Sequence, residues 1–358
     1  MDIESYFTDF GQRNWETPSD DDPVRVAIVG CGWFAEEFAL PAIERGDLCT
    51  ATVLVTGDAE KGSRLASEFD ADHVVGYDDF TDGTAADSYD AVYVSTPNAL
   101  HLEYVEAAAE LGKDVLCEKP LEVSAERAEQ MVDACADADV TLMTAYRQQA
   151  EPGIRRMRDM IQDGNIGTPV YAIGDFSITL LGRDADADQW RLNPDIAGGG
   201  ALVDIGIYPL NTLRYLIDED PVAVQAETKT SDDRYEGVEE HISFQLSFPG
   251  RMSAAFASSY GASLDDTFVL VGTEGKLEID PAFFPEAERT FHLERDGTSL
   301  TLEGGAVTGI DEEFEYFARC VLTGADPDPD GEDGLVDVRT IDAIYEAAAT
   351  GERVELSN

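Results

Sequence analysis

Asp204 and Tyr208 stand four residues apart behind three glycines, in the run Gly198-Gly199-Gly200-Ala201-Leu202-Val203-Asp204-Ile205-Gly206-Ile207-Tyr208-Pro209. Glycines followed by Ala-Leu-Val predict a close-approach loop that opens a helix, because a residue without Cβ relieves the steric limits on the backbone. Side chains four apart on a helix share one face, so a carboxylate and a phenol would point into the same space. Pro209 lacks the N–H that would bond the Ile205 carbonyl, which predicts a kink beside the pair. Taken alone, the pair reads as an amphipathic helix with a surface aspartate and a core tyrosine. The rest of the chain decides otherwise.

A second constellation begins with the apolar strand Val24–Val29, which runs into Gly30-Cys31-Gly32-Trp33-Phe34-Ala35 and then a helical stretch to about Arg45. This is the dinucleotide turn with alanine in the third small position. Gly30 permits the tight turn, Gly32 lets the backbone approach a pyrophosphate, and the helix start offers free N–H groups to the anion. The end of the next strand bears on the cofactor. An NAD site offers a carboxylate to the ribose 2′-hydroxyl, whereas Thr56 and Gly57 occupy that turn here, with Lys61 near the following helix start. A hydroxyl and a cation suit a 2′-phosphate and so NADP, while Asp58 leaves NAD open.

The elements that must position these residues alternate between strand and helix: Thr50–Val55, Ala59–Phe69, His73–Val75, Ala91–Val94, Ala99–Leu111, Asp114–Cys117, Ser124–Ala138 and Val140–Thr144. Such alternation predicts an α/β, doubly wound parallel sheet, with ligands beyond the carboxyl ends of its strands. Those ends carry Thr56-Gly57-Asp58, Ser95-Thr96-Pro97-Asn98 and Glu118-Lys119-Pro120. After Arg147 the pattern changes to a helix near Glu151–Ile161, a strand near Val170–Ile178, and period-two runs at Glu239–Leu246, Met252–Ser259, Thr267–Val271 and Lys276–Ile279. Helices near Asp311–Leu322 and Val336–Ala349 close the chain. This predicts an α+β domain with a mostly antiparallel open sheet. The expected division is an arm over residues 1–22, a dinucleotide-binding domain over 23–148, and a substrate and oligomerisation domain over 149–358. In the arm, Tyr6, Phe7, Phe10 and Trp15 are too many aromatics for a wholly solvated tail and are expected to dock.

Composition narrows the partners. The chain of 358 residues carries 74 acidic against 24 basic residues, a formal net charge of −50, which excludes nucleic acid as a natural partner. No apolar run reaches the length of a membrane span, and no secretory leader is read at Met1-Asp2-Ile3-Glu4-Ser5, so a cytoplasmic protein is expected. Cys31, Cys49, Cys117, Cys135 and Cys320 lack CxxC spacing and read as reduced structural thiols, and no metal site is expected. Lysine is confined to Lys61, Lys113, Lys119, Lys229 and Lys276, which makes each one informative.

The dinucleotide turn, Cys117-Glu118-Lys119-Pro120, and the block from Gln189-Trp190-Arg191-Leu192 through the glycines to Tyr208 resemble the glucose-fructose oxidoreductase/inositol dehydrogenase (Gfo/Idh/MocA) family. The resemblance spans nearly the whole chain, and the acidic composition is similar to that of the D-xylose 1-dehydrogenases of halophilic archaea. It implies a Rossmann domain, NADP, and an aldopyranose such as D-xylose oxidised at C1 to the lactone in a cleft between the domains by a homo-oligomer, dimer or tetramer. It assigns Lys119, Asp204 and Tyr208 to catalysis, with tyrosine where many members have histidine. Tyr208 would take the hydroxyl proton, Lys119 would favour its phenolate, and Asp204 would orient the sugar or the lysine. The cofactor channel would be lined by Gly30, Gly32, Trp33, Phe34, Ala35, Thr56, Gly57, Lys61, Tyr77, Ser95, Thr96, Pro97, Asn98, His101, Glu118 and Arg147. Trp190, Arg191 and Asn211 would meet the substrate. The competing readings are a trans-dihydrodiol dehydrogenase or other aldose oxidoreductase, and a non-catalytic dinucleotide sensor.

The charge yields a prediction that needs no site. Surface carboxylates repel one another in dilute buffer, whereas at molar salt the screening length falls to roughly 3 Å. Thermal melting in molar KCl is therefore expected at a higher temperature than in dilute buffer, and equal melting points would contradict the reading.

Overall fold

The computed structural model describes residues 10–18, 22–182, 189–285, 287–303 and 309–356. Tyr6 and Phe7 of the arm lie outside them.

The first compact unit comprises Trp15–Ala150 and Gly309–Leu335. Its strands are β1 (Val24–Val29), β2 (Cys49–Val55), β3 (His73–Val75), β4 (Ala91–Val94), β5 (Asp114–Glu118) and β6 (Leu142–Ala145), paired throughout in parallel in the order β3-β2-β1-β4-β5-β6. That is the doubly wound Rossmann order, and the reversal of strand order between β1 and β4 opens the crevice in which such sheets take ligands. Val26, Ile28, Leu54, Tyr93 and Leu116 are wholly buried, as expected for strands covered on both faces.

The sequence expectation ended this unit at residue 148, but residues 309–335 pack with it. The helix Gly309–Thr323 carries a buried stripe: Phe314 meets Tyr93 edge-on at 5.0 Å, and the Glu315 carboxylate accepts from the Asp47 and Leu48 N–H groups at 2.8 and 2.9 Å. Trp15 of the arm packs edge-on against Tyr316, with ring centroids 5.1 Å apart. Chain order alone could not reveal this return.

The second unit comprises residues 1–14, 151–308 and 336–358. Among its described residues lie β7 (Pro169–Thr179), β8 (Ala223–Lys229), β9 (His241–Ser247), β10 (Ser253–Ser259), β11 (Gly261–Gly272), β12 (Gly275–Asp280), β13 (Thr290–Arg295), β14 (Thr298–Glu303) and β15 (Val354–Glu355). They form one sheet in the order β14-β13-β12-β11-β7-β10-β9-β8-β15, antiparallel except between β7 and β10. Period two sets the burial: Ile242, Phe244 and Leu246 of β9 face inward while Ser243 and Gln245 face out. On the covered face the helix Ile207–Ile217 packs on β7, and the helix Pro152–Gln162 packs on that helix. Phe10 of the arm docks in this unit, edge-on to Phe291 at 4.9 Å.

A buried polar cluster fixes the helix Ile207–Ile217. Arg214 Nη1 donates to Asp337 Oδ1 at 2.8 Å, and Asn211 Nδ2 donates to Asp337 Oδ2 at 2.7 Å. Buried charges need such pairing, since removing one partner strands the other in a medium that cannot solvate it.

Candidate active site

The nucleotide half of the site is built on β1, β2 and β4. Gly30 has φ +97°, a left-handed conformation, and a Cβ there would lie 2.8 Å from the Ser95 carbonyl oxygen. Glycine therefore lets the β1 and β4 loops meet, and Ser95 Oγ closes the contact by donating to the Gly30 carbonyl at 2.8 Å. A Cβ at Gly32 would meet nothing within 4 Å, which leaves its backbone open to a pyrophosphate. Ala35 begins the helical stretch, Phe34 is half-buried, and Trp33 is 63% exposed with its ring edge-on to Phe38. Thr96 Oγ1 is buried with no hydrogen-bond partner among the described residues, an orphan that a bound polar group would satisfy. Pro97 is half-buried beside it and Asn98 is buried. These features fit a dinucleotide.

At the ribose end, Thr56 Oγ1 accepts from the Asp58 N–H at 3.2 Å, and Gly57 packs on the Tyr77 ring. Asp58 caps the helix Ala59–Glu68, its carboxylate accepting from the Lys61 N–H at 2.9 Å. Lys61 Nζ lies 2.8 Å from Glu36 Oε2, and Arg64 pairs with the same carboxylate. Glu36 thus draws two cations together where a 2′-phosphate is expected. Arg64 carried no signal in the sequence reading, because one arginine on an exposed helix face has no motif.

The lysine half ends β5. Glu118 Oε1 accepts from the Tyr93 hydroxyl at 2.7 Å, and Oε2 accepts from the Lys119 N–H at 3.2 Å. Lys119 and Arg147 bring positive charge to Glu118 and to Glu313, which is only 1% exposed. Burial raises the Glu118 carboxyl above the usual carboxylate range, and it raises Glu313 further, with the Glu118 charge adding to the shift. Tyr93 and Glu313 escaped the sequence reading because each sits in an ordinary apolar pattern.

His101 was expected in the cofactor channel. The imidazole is wholly buried, with Nδ1 3.1 Å from the Leu121 carbonyl and Nε2 2.9 Å from the Thr96 carbonyl. It ties the loop after β4 to the loop after β5. Burial lowers its pKa.

The carboxylate and phenol half lies in the second unit. A kink was expected at Pro209; the irregularity the structure shows lies before it, a widened turn over Leu202–Gly206 in which the Ile207 N–H reaches back to Leu202, and Pro209 sits in the first turn of the regular helix Ile207–Ile217. Asp204 lies in the wide turn and Tyr208 in the regular helix. Asp204 Oδ2 accepts from Arg191 Nε at 3.1 Å and from the Tyr260 hydroxyl at 3.0 Å. The Arg191 guanidinium also lies over the Trp190 ring, 4.7 Å from its centroid. The Asp204 charge raises the Arg191 pKa, and burial, seconded by the same charge, holds the Tyr260 phenol protonated as a donor. Tyr208 is half-buried, its ring edge-on to Phe176 at 5.5 Å and tilted against Phe283 at 6.1 Å. Tyr260 follows β10, after a plain Ser-Ser, and could not be found from sequence.

Asn211 was expected at the substrate. It is 2% exposed and its amide donates to Asp337. No cluster of metal-ligating side chains and no helix long and apolar enough to cross a membrane occurs among the described residues. All five cysteines are buried free thiols, and burial pushes the Cys31 thiol up to about 11.

A doubly wound nucleotide-binding unit followed by an open-sheet unit carrying a carboxylate and a phenol defines an oxidoreductase class. Residues 24–146 match the sequence model of the oxidoreductase family with an NAD-binding Rossmann fold, and residues 154–278 match the GFO/IDH/MocA C-terminal domain. The chain belongs to the Gfo/Idh/MocA family. It is 46% identical to the D-xylose 1-dehydrogenase [NADP(+)] of Haloarcula marismortui, over 99% of this chain and 100% of that one. It is 34% identical to D-xylose 1-dehydrogenase (NADP(+)) 2 of Haloferax volcanii, over 92% and 98% of the two chains. The crystal structure of an aldose-aldose oxidoreductase from Caulobacter crescentus complexed with glycerol superposes with a TM-score of 0.87 at 34% identity, covering 93% of this chain and 100% of that one.

The cation pair on Glu36 sets a test of cofactor choice. Lys61→Ala is expected to raise the KM for NADP by about tenfold, the scale of one charge-assisted contact, while leaving that for NAD within about twofold. Steady-state kinetics with both cofactors check this, and an unchanged preference would remove Lys61 from the 2′-phosphate site.

Proposed function

We propose that this chain is an NADP-dependent D-xylose 1-dehydrogenase that oxidises the pyranose at C1 to the lactone. What carries the reading is full-length likeness to the Haloarcula enzyme in a chain that keeps Lys119, Asp204 and Tyr208. NADP supplies the hydride acceptor when bound. The protein's own part is to move the hydroxyl proton and hold the sugar. Tyr208 takes the C1 hydroxyl proton as general base, and Lys119 supplies the cation that the reaction uses. Asp204, held through Oδ2 by Arg191 and Tyr260, orients the reacting groups. Gly30, Gly32, Ala35, Thr56, Gly57, Lys61, Ser95, Thr96, Pro97 and Asn98 receive the cofactor, with Trp33, Phe34 and Tyr77 beside them and Glu118 and Arg147 supporting the lysine. Trp190 and Arg191 meet the sugar. Buried free thiols suit a reducing cytoplasm.

The chain also acts as a homo-oligomer through the outer face of its nine-stranded sheet. Tyr171 and Ile173 of β7 are 45% and 48% exposed there, and Ile173 joins Ala255 and Ala257 of β10 in lining an open hollow of about 550 Å³. Large apolar exposure in one patch marks an interaction surface.

Two outcomes are expected. Tyr208→Phe keeps the ring but removes the proton acceptor, so turnover of D-xylose should fall by about a thousandfold or more while NADPH still binds, and methyl xyloside, lacking the C1 hydroxyl proton, should be inert with the native enzyme. Near-native turnover of the variant, or oxidation of the methyl glycoside, would exclude this chemistry, and turnover of a trans-dihydrodiol with xylose ignored would put the competing reading in its place. In molar KCl, light scattering should give a dimer or tetramer for the native chain and monomers for Ile173→Asp. A native monomer, or an undisturbed assembly in the variant, would contradict the interface.

A further inference from the structure

The three glycines before Asp204 have a reason that no ligand supplies. Gly198 has φ +79° and closes the short helix Pro194–Ala197. A Cβ on Gly199 would overlap the Tyr345 hydroxyl, and one on Gly200 would overlap the Glu239 carbonyl. The loop is thus filled from behind by Glu239 and Tyr345.

Glu239 does more than fill space. Its carboxylate accepts from the Gly200 N–H at 2.9 Å and the Leu202 N–H at 2.8 Å, and its backbone carbonyl accepts from the Ala201 N–H at 3.2 Å. Three successive N–H groups at the helix start, which have no intrahelical partner, are satisfied by one residue from another segment. Ala201, at the cap position, offers no side chain for this. The negative charge also lies at the positive end of the helix dipole. Tyr345 completes the arrangement, its hydroxyl donating to Glu239 Oε1 at 3.0 Å. Glu239 is only 8% exposed, so water cannot replace it at these donors.

We infer that Glu239, held by Tyr345, is a positioning residue for catalysis: it sets the start of the helical stretch that carries Asp204 and Tyr208. Asp204 follows the last clamped N–H by two residues and Tyr208 by six, so a small rotation at the clamp moves both. The inference rests on the reading that those two residues carry the chemistry. Misplacement by about 1 Å costs up to about a hundredfold in rate while leaving binding elsewhere intact.

Glu239→Gln keeps the volume but removes the charge and places an N–H group against a backbone donor. It is expected to lower kcat for D-xylose by about tenfold or more, with the NADPH dissociation constant within about twofold of native. Tyr345→Phe, which removes one donor and leaves the clamp, should lower kcat by about two- to fivefold in the same pattern, and it decides the matter if Glu239→Gln does not fold. In a Tyr208→Phe background, Glu239→Gln should cost clearly less than in the native chain, because the part of its effect that passes through Tyr208 is already lost. Native kcat in Tyr345→Phe and Glu239→Gln, or full additivity with Tyr208→Phe, would overturn the inference while Tyr208→Phe remains inactive. Native turnover in Tyr208→Phe alone would instead overturn the catalytic reading on which it rests.

Discussion

The close approach of Glu239 and Tyr345 to the backbone of Gly199 and Gly200 is the constraint on which the sugar half of the site depends. No residue with a Cβ can stand at either glycine without displacing the groups that hold the helix start. From that start the order is fixed: a wide turn bearing Asp204, then a regular helix bearing Tyr208, then Asn211 and Arg214 locked to Asp337 at the far side. A carboxylate at the front of the helix and one at its flank restrain it at both ends. Between them Arg191 and Tyr260 fix the Asp204 side chain.

Charge is arranged with the same economy. In a chain with a net charge of −50, cations are scarce, yet Lys61, Arg64, Lys119, Arg147 and Arg191 gather at the groups argued to act. Lys61 and Arg64 meet Glu36, Lys119 and Arg147 lie near Glu118 and Glu313, and Arg191 holds Asp204. Paired in this way, cations stay oriented without a net positive surface, and their carboxylates are kept from the surrounding negative field.

Much of the fold was legible because its periods are strong. The buried runs of β1, β2 and β4 and the alternation of β9 and β10 announce themselves, and the glycine turn locates the nucleotide half. Local pattern could not show that residues 309–335 return to the first unit, since only tertiary packing of Phe314 on Tyr93 makes that choice. The hairpin β13–β14 was missed for its polar, charged strands. In the site, motif residues were readable and their supports were not. Tyr260, Glu239, Tyr345 and Glu313 reach the site across long stretches of chain, with no spacing to betray them. His101 and Asn211 each stand near a motif, and their scaffold contacts, His101 to two loop carbonyls and Asn211 to Asp337, have no sequence signature.

The central claim is that hydride leaves C1 of a free pyranose for NADP while the hydroxyl proton goes to the protein. Deuterium at that carbon tests it without any variant. With D-xylose carrying deuterium at C1, the account expects the NADPH formed to be one mass unit heavier and to hold the label at the transferred position. NADPH of ordinary mass, formed from the same labelled sugar, would contradict it.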